Sequence, residues 1–78
     1  MKAALYEALK QFDERLHTAF PGATFRLIDA FEGHDVAVEV TLPVREITRH
    51  ERMQLAEIAT ALEEEYDVYL GLQTKTAA

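Results

Sequence analysis

The period of the hydrophobic residues switches from helix-like to strand-like twice along this chain, and that order restricts the fold more than any other feature. Apolar residues recur every three to four positions over residues 2–20 and again from Thr48 to Glu65, which predicts two amphipathic helices. Apolar and polar residues alternate in three other segments, less cleanly in the first because Asp29 falls on its apolar side, and this pattern predicts strands. These segments are Thr24–Phe31, Val36–Leu42 and Asp67–Thr74. The predicted element order is α-β-β-α-β.

Residues that stop or start helices agree with these limits. Pro21-Gly22 follows the first helical segment and predicts its end. Thr48 and Glu51 have the spacing of a capping box, in which each side chain satisfies a free backbone N–H at the start of a helix. Pro43 closes the second strand, because proline has no N–H for a sheet hydrogen bond. The length of the chain, 78 residues, fits a single domain that spans residues 1–78.

A glycine lies where the first two strands meet and predicts a tight hairpin turn. A two-residue loop at Glu32-Gly33 pairs Leu27 with Val38, and the apolar faces of both strands then agree. A three-residue loop pairs Ile28 with Val38 instead. We favour the two-residue loop, or a bulge near Asp29 that satisfies both halves of the first strand.

The connections between the elements predict a mixed sheet. A hairpin makes the first two strands antiparallel, and the long link through the second helix makes the third strand parallel to the second. We expect the strand order 2-1-3, with the first strand central. Each helix has one apolar stripe, so we expect both helices on one face of the sheet. The predicted fold class is α+β: a two-layer sandwich with a three-stranded mixed sheet.

The other face of this sheet is predicted to lack a helix. Ile28, Ala37 and Tyr69 point to that face by strand alternation, and they form a modest apolar patch. A chain of 78 residues buries a limited fraction of its surface, and small domains without disulfides often gain stability by pairing. We therefore expect a homodimer that uses these three residues, or a sheet edge, as its interface.

Charge and composition exclude several classes of function. The chain carries 8 Lys and Arg against 14 Asp and Glu, a net charge of −6, so it lacks the basic surplus that nonspecific nucleic-acid binding requires. No cysteine occurs, which excludes disulfides and thiolate zinc sites. No segment approaches the roughly 20 apolar residues of a membrane span. We expect a small acidic cytoplasmic protein that binds neither nucleic acid nor membrane.

The charges on the second helix oppose its dipole. A basic group stands at its start, where a helix carries partial positive charge, and an acidic run, Glu63-Glu64-Glu65, stands at its end. The basic group consists of Arg45, Arg49, His50 and Arg52. We predict that it binds an acidic protein or another anion. The alternative is that Glu46 and Glu51, which are close in sequence, neutralise the arginines.

The sequence lacks the usual patterns of catalytic and metal sites. It contains no serine or cysteine nucleophile and no glycine-rich phosphate loop. The three histidines, His17, His34 and His50, lack the i, i+4 spacing of a helical zinc site. We therefore expect no catalytic residue, metal or cofactor, and interpret the chain as a small interaction or regulatory module.

Two family resemblances add alternatives. The chain from Phe20 to Gln73 resembles the minimal nucleotidyltransferase domain. The shared segments are Phe20-Pro21-Gly22-Ala23, Asp35-Val36-Ala37-Val38-Glu39-Val40 and Glu65-Tyr66-Asp67-Val68. That resemblance implies a nucleotide-binding domain with Mg²⁺ held by two acids one residue apart, of which Asp35 matches and Ala37 does not. The element order is also similar to the cytoplasmic C-terminal domain of cation diffusion facilitators, which implies dimerisation and metal sensing.

Overall fold

Two helices and three strands follow one another in the predicted order, and the fold class is α+β as expected. The protein is represented by a computed structural model, which describes residues 3–30 and 33–77. The helices are α1 (Ala3–Ala19) and α2 (Arg49–Tyr66), and the strands are β1 (Thr24–Ile28), β2 (Val36–Leu42) and β3 (Leu70–Thr76). Within these residues, neither helix combines the length and the apolar character needed to cross a lipid bilayer.

The limits of two strands differ from the prediction. β1 ends at Ile28, and the predicted end at Phe31 lies outside the described residues. β3 begins at Leu70 rather than at Asp67. Asp67 instead ends α2, because its backbone adopts the left-handed conformation, φ 53° and ψ 49°, that terminates many helices. The chain uses the next residues to turn from the helix into the sheet.

The predicted strand order 2-1-3 is wrong, because β2 and not β1 is the central strand. β1 pairs with one edge of β2 in antiparallel orientation, and β3 pairs with the other edge in parallel orientation. β2 has seven residues and can pair with all seven residues of β3, whereas β1 has only five. β2 is also buried at five of its positions, whereas no residue of β1 is fully buried. The most apolar strand thus takes the most buried place.

The pairing of β1 with β2 has the predicted register. Leu27 lies opposite Val38, as the two-residue loop predicts and the three-residue loop does not. Gly33 in the connection has φ +85°, a value that glycine adopts without strain. Glu32, the other predicted turn residue, lies outside the described residues. This register keeps the apolar side chains of both strands on the same face.

Side chains from both helices and from the sheet form one hydrophobic core. α1 contributes Phe12 and Leu16, and β2 contributes every second residue over 36–42. α2 contributes Leu55, Ala59 and Leu62. The rings of Phe12 and Phe25 meet edge to face, with centroids 5.2 Å apart and planes at 83°, which joins α1 to β1. Burial of these apolar side chains is the main source of stability for a domain of this kind.

Candidate interaction surfaces

A capping box fixes the start of α2, as the sequence predicts. The Thr48 hydroxyl oxygen accepts a hydrogen bond from the Glu51 N–H at 3.2 Å, and the Glu51 carboxylate accepts one from the Thr48 N–H at 2.9 Å. The Thr48 hydroxyl also donates to this carboxylate at 2.9 Å. The hydrogen bonds from the Thr48 backbone and side chain hold the pKa of Glu51 below its usual value of 4.5. The first turn of α2 therefore has a defined orientation.

The four residues predicted to bind a partner lie around this helix start. Arg49, His50 and Arg52 belong to the beginning of α2, and Arg45 precedes it in the segment after β2. All four are exposed to solvent. Within residues 3–30 and 33–77, none of the three arginines forms an ion pair. We call Arg45, Arg49, His50 and Arg52 the basic surface.

The acids that could have neutralised the arginines of the basic surface make no ion pair with them in the described part of the chain. The Glu51 carboxylate is engaged by the backbone and the hydroxyl of Thr48. Glu46 is exposed. The positive charge of the arginines therefore stays open to an external partner.

The acidic run at the end of α2 has partners within the fold, and sequence reasoning missed them. The Glu65 carboxylate pairs with Arg15 of α1 at 2.8 Å. The Glu63 carboxylate accepts a hydrogen bond from the Leu70 N–H at 3.0 Å, at the start of β3. Glu64 is exposed. Two of the three carboxylates thus join α2 to neighbouring elements, which offsets their unfavourable position in the helix dipole.

Of the three predicted interface residues, Tyr69 alone offers a large exposed side chain. Tyr69 is 62% exposed, Ile28 is half-buried and Ala37 has no exposed surface. Ala37 lies between Ile28 and Gly71 in the register of the sheet. The His34 ring meets the Tyr69 ring edge to face, with centroids 5.5 Å apart. Ala37 therefore adds no contact area on this face, and use of the face by a partner stays a prediction.

A row of charges crosses the same face of the sheet. The Glu39 carboxylate of β2 accepts a hydrogen bond from Arg26 Nε of β1 at 2.9 Å and lies 3.4 Å from Lys75 Nζ of β3. The hydrogen bond from Arg26 is the main reason that the pKa of Glu39 lies below its usual value of 4.5, and Lys75 contributes in the same direction. This row makes the face polar across all three strands.

Asp35, the acid that the nucleotidyltransferase resemblance assigns to a metal ion, joins two strands. Its carboxylate accepts a hydrogen bond from the Tyr69 N–H at 2.8 Å, and its own N–H donates to the Tyr69 carbonyl at 2.8 Å. Asp35 borders an open cleft of about 400 Å³ beside Glu63, Glu64 and Asp67. Among the described residues, no group of three or more His, Asp or Glu side chains is arranged to hold a metal ion.

An apolar groove between α1 and β1 was not identified from the sequence. Its volume is about 540 Å³. It is lined by Tyr6, Leu9, Lys10, Asp13, Phe25 and Leu27, and we call it the β1 groove. Tyr6 is 64% exposed and Leu27 is 50% exposed. A central β1, as predicted, would have been covered along both edges, whereas the observed edge position leaves these side chains open.

No protein-family model matches this chain, and no curated protein matches it at a significant level. The resemblances to nucleotidyltransferases and to cation diffusion facilitators therefore stay predictions from sequence.

Proposed function

We propose that the protein is a small, non-catalytic interaction or regulatory module that forms a homodimer and binds an acidic partner at the start of α2. The observation that carries this proposal is the basic surface, whose three arginines are exposed and make no ion pair within the described residues. An exposed guanidinium suits a carboxylate, because it can bind the two oxygens through parallel hydrogen bonds.

The overall charge of the chain favours this location for an acidic partner. The net charge is −6, and three of the eight Lys and Arg residues lie within residues 45–52. An acidic segment that approaches elsewhere meets net repulsion, so the field of the protein directs it to this end of α2. Such attraction extends over a Debye length of about 8 Å at physiological salt. We therefore expect binding that weakens as salt rises.

We also propose that α1 and α2 cover one face of the sheet and leave the face of Arg26 and Glu39 without a helix. Phe12 and Leu16 of α1 and the buried residues of α2 belong to one cluster with the alternating residues of β2, which share a face of that strand. A cytoplasmic location, and the exclusion of nucleic acid and membrane as partners, stay predictions from composition.

The alternatives are a reduced nucleotidyltransferase-like domain that binds a nucleotide and Mg²⁺ through Asp35, and a metal-sensing dimerisation module. The hydrogen bonds between Asp35 and Tyr69 favour a structural role for this carboxylate. Thermal unfolding with ATP plus Mg²⁺, and separately with Zn²⁺, distinguishes the alternatives, because a ligand that binds only the native protein raises its melting temperature. We expect no shift with either.

Titration with a fluorescent Asp- and Glu-rich peptide tests the proposed partner. Arg49→Gln and Arg52→Gln should each weaken binding about threefold, or about 0.7 kcal/mol, because each removes one exposed guanidinium. Lys75→Gln is the matched control, since it removes one positive charge on β3, and it should leave binding unchanged.

Two results would contradict this proposal. One is equal weakening by Lys75→Gln, and the other is a lack of peptide binding by the unmodified chain. Inorganic phosphate is a second probe: NMR shifts near residues 45–52 with phosphate but none with the peptide would assign the basic surface to a small anion instead.

A further inference from the structure

β1 forms one edge of the sheet, and the direction of its backbone groups follows from the hydrogen bonds of β2. The Leu42 carbonyl of β2 accepts a hydrogen bond from the Ala77 N–H after β3, and the Val36 N–H donates to the Tyr69 carbonyl, which it shares with the Asp35 N–H. The even-numbered residues of β2 therefore bond to β3. The odd-numbered residues of β2 therefore bond to β1. Their partners are Thr24, Arg26 and Ile28. The N–H and C=O groups of Phe25 and Leu27 consequently point away from the sheet, where they are available to another strand.

The β1 groove lies beside this open edge. Phe25 and Leu27 line it from the sheet, and Tyr6 and Leu9 line it from α1. A strand laid along the edge would direct alternate side chains into the groove, as in other complexes in which a strand is added to a sheet. The exposed apolar surface of Tyr6 and Leu27 would then be buried, which favours association.

We propose that the added strand is β1 of a second copy, paired antiparallel so that Arg26 lies on the two-fold axis. In this register Phe25 of each copy faces Leu27 of the other, and their outward N–H and C=O groups form the hydrogen-bonded pairs. All five residues of β1 are then paired, and two three-stranded sheets join into one of six strands. This inference rests on the proposed function. The homodimer is part of that proposal, and the inference adds where its interface lies.

Charges on α1 make the surface self-complementary. Lys10 and Asp13 both line the β1 groove. A two-fold axis beside β1 also reverses the direction of α1, so Lys10 of one copy is directed toward Asp13 of the other, and the reverse. On the opposite face the two Arg26 side chains meet at the axis, and each keeps its own Glu39 carboxylate at 2.9 Å, which reduces their repulsion.

The other edge of the sheet is less suited to this pairing. On β3 the Leu70 N–H already donates to the Glu63 carboxylate at 3.0 Å. β3 also carries Lys75, and lysine on an edge strand discourages further strand pairing. β1 has no lysine or proline over its five residues, and its one charged residue, Arg26, pairs with Glu39 at 2.9 Å. The second copy is therefore expected at β1.

Molar mass in solution tests the pairing. By analytical ultracentrifugation, we expect the unmodified chain to have about twice its mass of 8.9 kDa. Leu27→Glu places a charge in the β1 groove and should give a monomer that remains folded by circular dichroism. Met53→Glu is the matched control, because Met53 on α2 is 52% exposed against 50% for Leu27, and it should stay dimeric. A monomeric unmodified chain, or a dimer that survives Leu27→Glu, would overturn the inference.

Cysteine cross-linking tests the register without relying on Leu27→Glu, and the native chain has no cysteine to interfere. In the proposed register the two Arg26 residues form a non-hydrogen-bonded pair with Cα atoms about 4.5 Å apart, within reach of a disulfide. Arg26→Cys should form a disulfide-linked dimer under mild oxidation. Gln73→Cys, opposite Glu39 on β3, should not. Cross-linking of Gln73→Cys that equals or exceeds that of Arg26→Cys would overturn this interface.

The proposed dimer and the proposed acidic partner can be tested independently of each other. Leu27→Glu leaves the basic surface unchanged, so its monomer should bind the Asp- and Glu-rich peptide as tightly as the unmodified chain does. A dimer that binds no peptide would support this interface and contradict the proposal that the basic surface binds an acidic partner. A monomeric unmodified chain that binds the peptide would overturn the interface and support the partner.

Discussion

Asp67 ends α2 in an unusual way for an acidic residue. Its backbone has the left-handed conformation, φ 53°, which glycine and asparagine adopt most readily. Its carboxylate lies at the end of the helix, where the dipole is negative, and it makes no hydrogen bond within the described residues. The backbone of Asp67 therefore suits the geometry of the helix end, but its negative charge is unfavourable there.

Asp67→Asn should raise the free energy of unfolding by about 0.3–1 kcal/mol, because it removes the charge and still tolerates a left-handed backbone. Urea unfolding measures the change. Asp67→Ala is the control: it removes the same charge, but alanine is disfavoured at positive φ and should be about 1 kcal/mol less stable than asparagine there. Equal stability of the two variants would show that the helix end does not constrain this residue.

Glu51 makes stability depend on pH. Its pKa in the folded chain is below 4.5, so near that pH the folded chain binds fewer protons than the unfolded chain. The stabilisation is present above about pH 4.5 and is lost as the pH falls through the folded pKa. Glu51→Gln keeps a capping side chain without a titrating group, so its melting temperature should fall less between about pH 7 and about pH 3.

Melting curves at the two pH values check the role of Glu51, with Glu64→Gln as the control, since Glu64 is an exposed acid on the same helix. The control should lose as much stability on acidification as the unmodified chain. The same loss in Glu51→Gln would argue against a contribution from the Glu51 carboxylate.

Local spacing explains which side-chain contacts could be predicted. Thr48 and Glu51 are three positions apart, so their capping box is visible in the sequence and was predicted. The partners of the acidic run were not predicted, because Arg15 is 50 positions from Glu65 and only the packing of α1 on α2 brings them together. The residues next to Arg15 or Glu65 in the sequence give no indication of such a long-range contact.

The position of β1 in the sheet could not be read from hydrophobic periods. Those periods gave the element types and most of their limits, but strand order depends on where the crossover through α2 returns. The number of charged residues was the available signal: the predicted first strand, Thr24–Phe31, contains both Arg26 and Asp29, whereas Glu39 is the one charged residue of β2. The edge position of β1 exposes the β1 groove, so the wrong order also concealed the groove.

Asp35 ties the start of β2 to the start of β3, and its removal should loosen that end of the sheet. We expect Asp35→Ala to lower the free energy of unfolding by about 1 kcal/mol and to speed exchange of the Tyr69 amide proton, because the 2.8 Å hydrogen bond is lost. Asp29→Ala is the control, since Asp29 is an exposed acid just after β1, and its effect should stay within about 0.5 kcal/mol. Equal effects of the two substitutions would contradict the structural role of Asp35.

The molecule as a whole combines a small core with two different surfaces. The basic surface lies at the start of α2, and the β1 groove lies between α1 and the edge of the sheet. Small domains bury a limited share of their surface, and an edge strand with open backbone groups is where a second copy could add both burial and hydrogen bonds. The predicted homodimer follows from the small size of the chain and an open face or edge of the sheet, and the observed strand order indicates the edge that we propose for it.

Amide hydrogen exchange of β1, followed by NMR over a range of protein concentrations, tests that surface. At high concentration we expect the Phe25 and Leu27 amide protons to be as protected as that of Arg26, which faces β2. On dilution, protection of Phe25 and Leu27 should disappear while that of Arg26 persists. Fast exchange of the Phe25 and Leu27 amide protons at every concentration would show that no second strand pairs with β1.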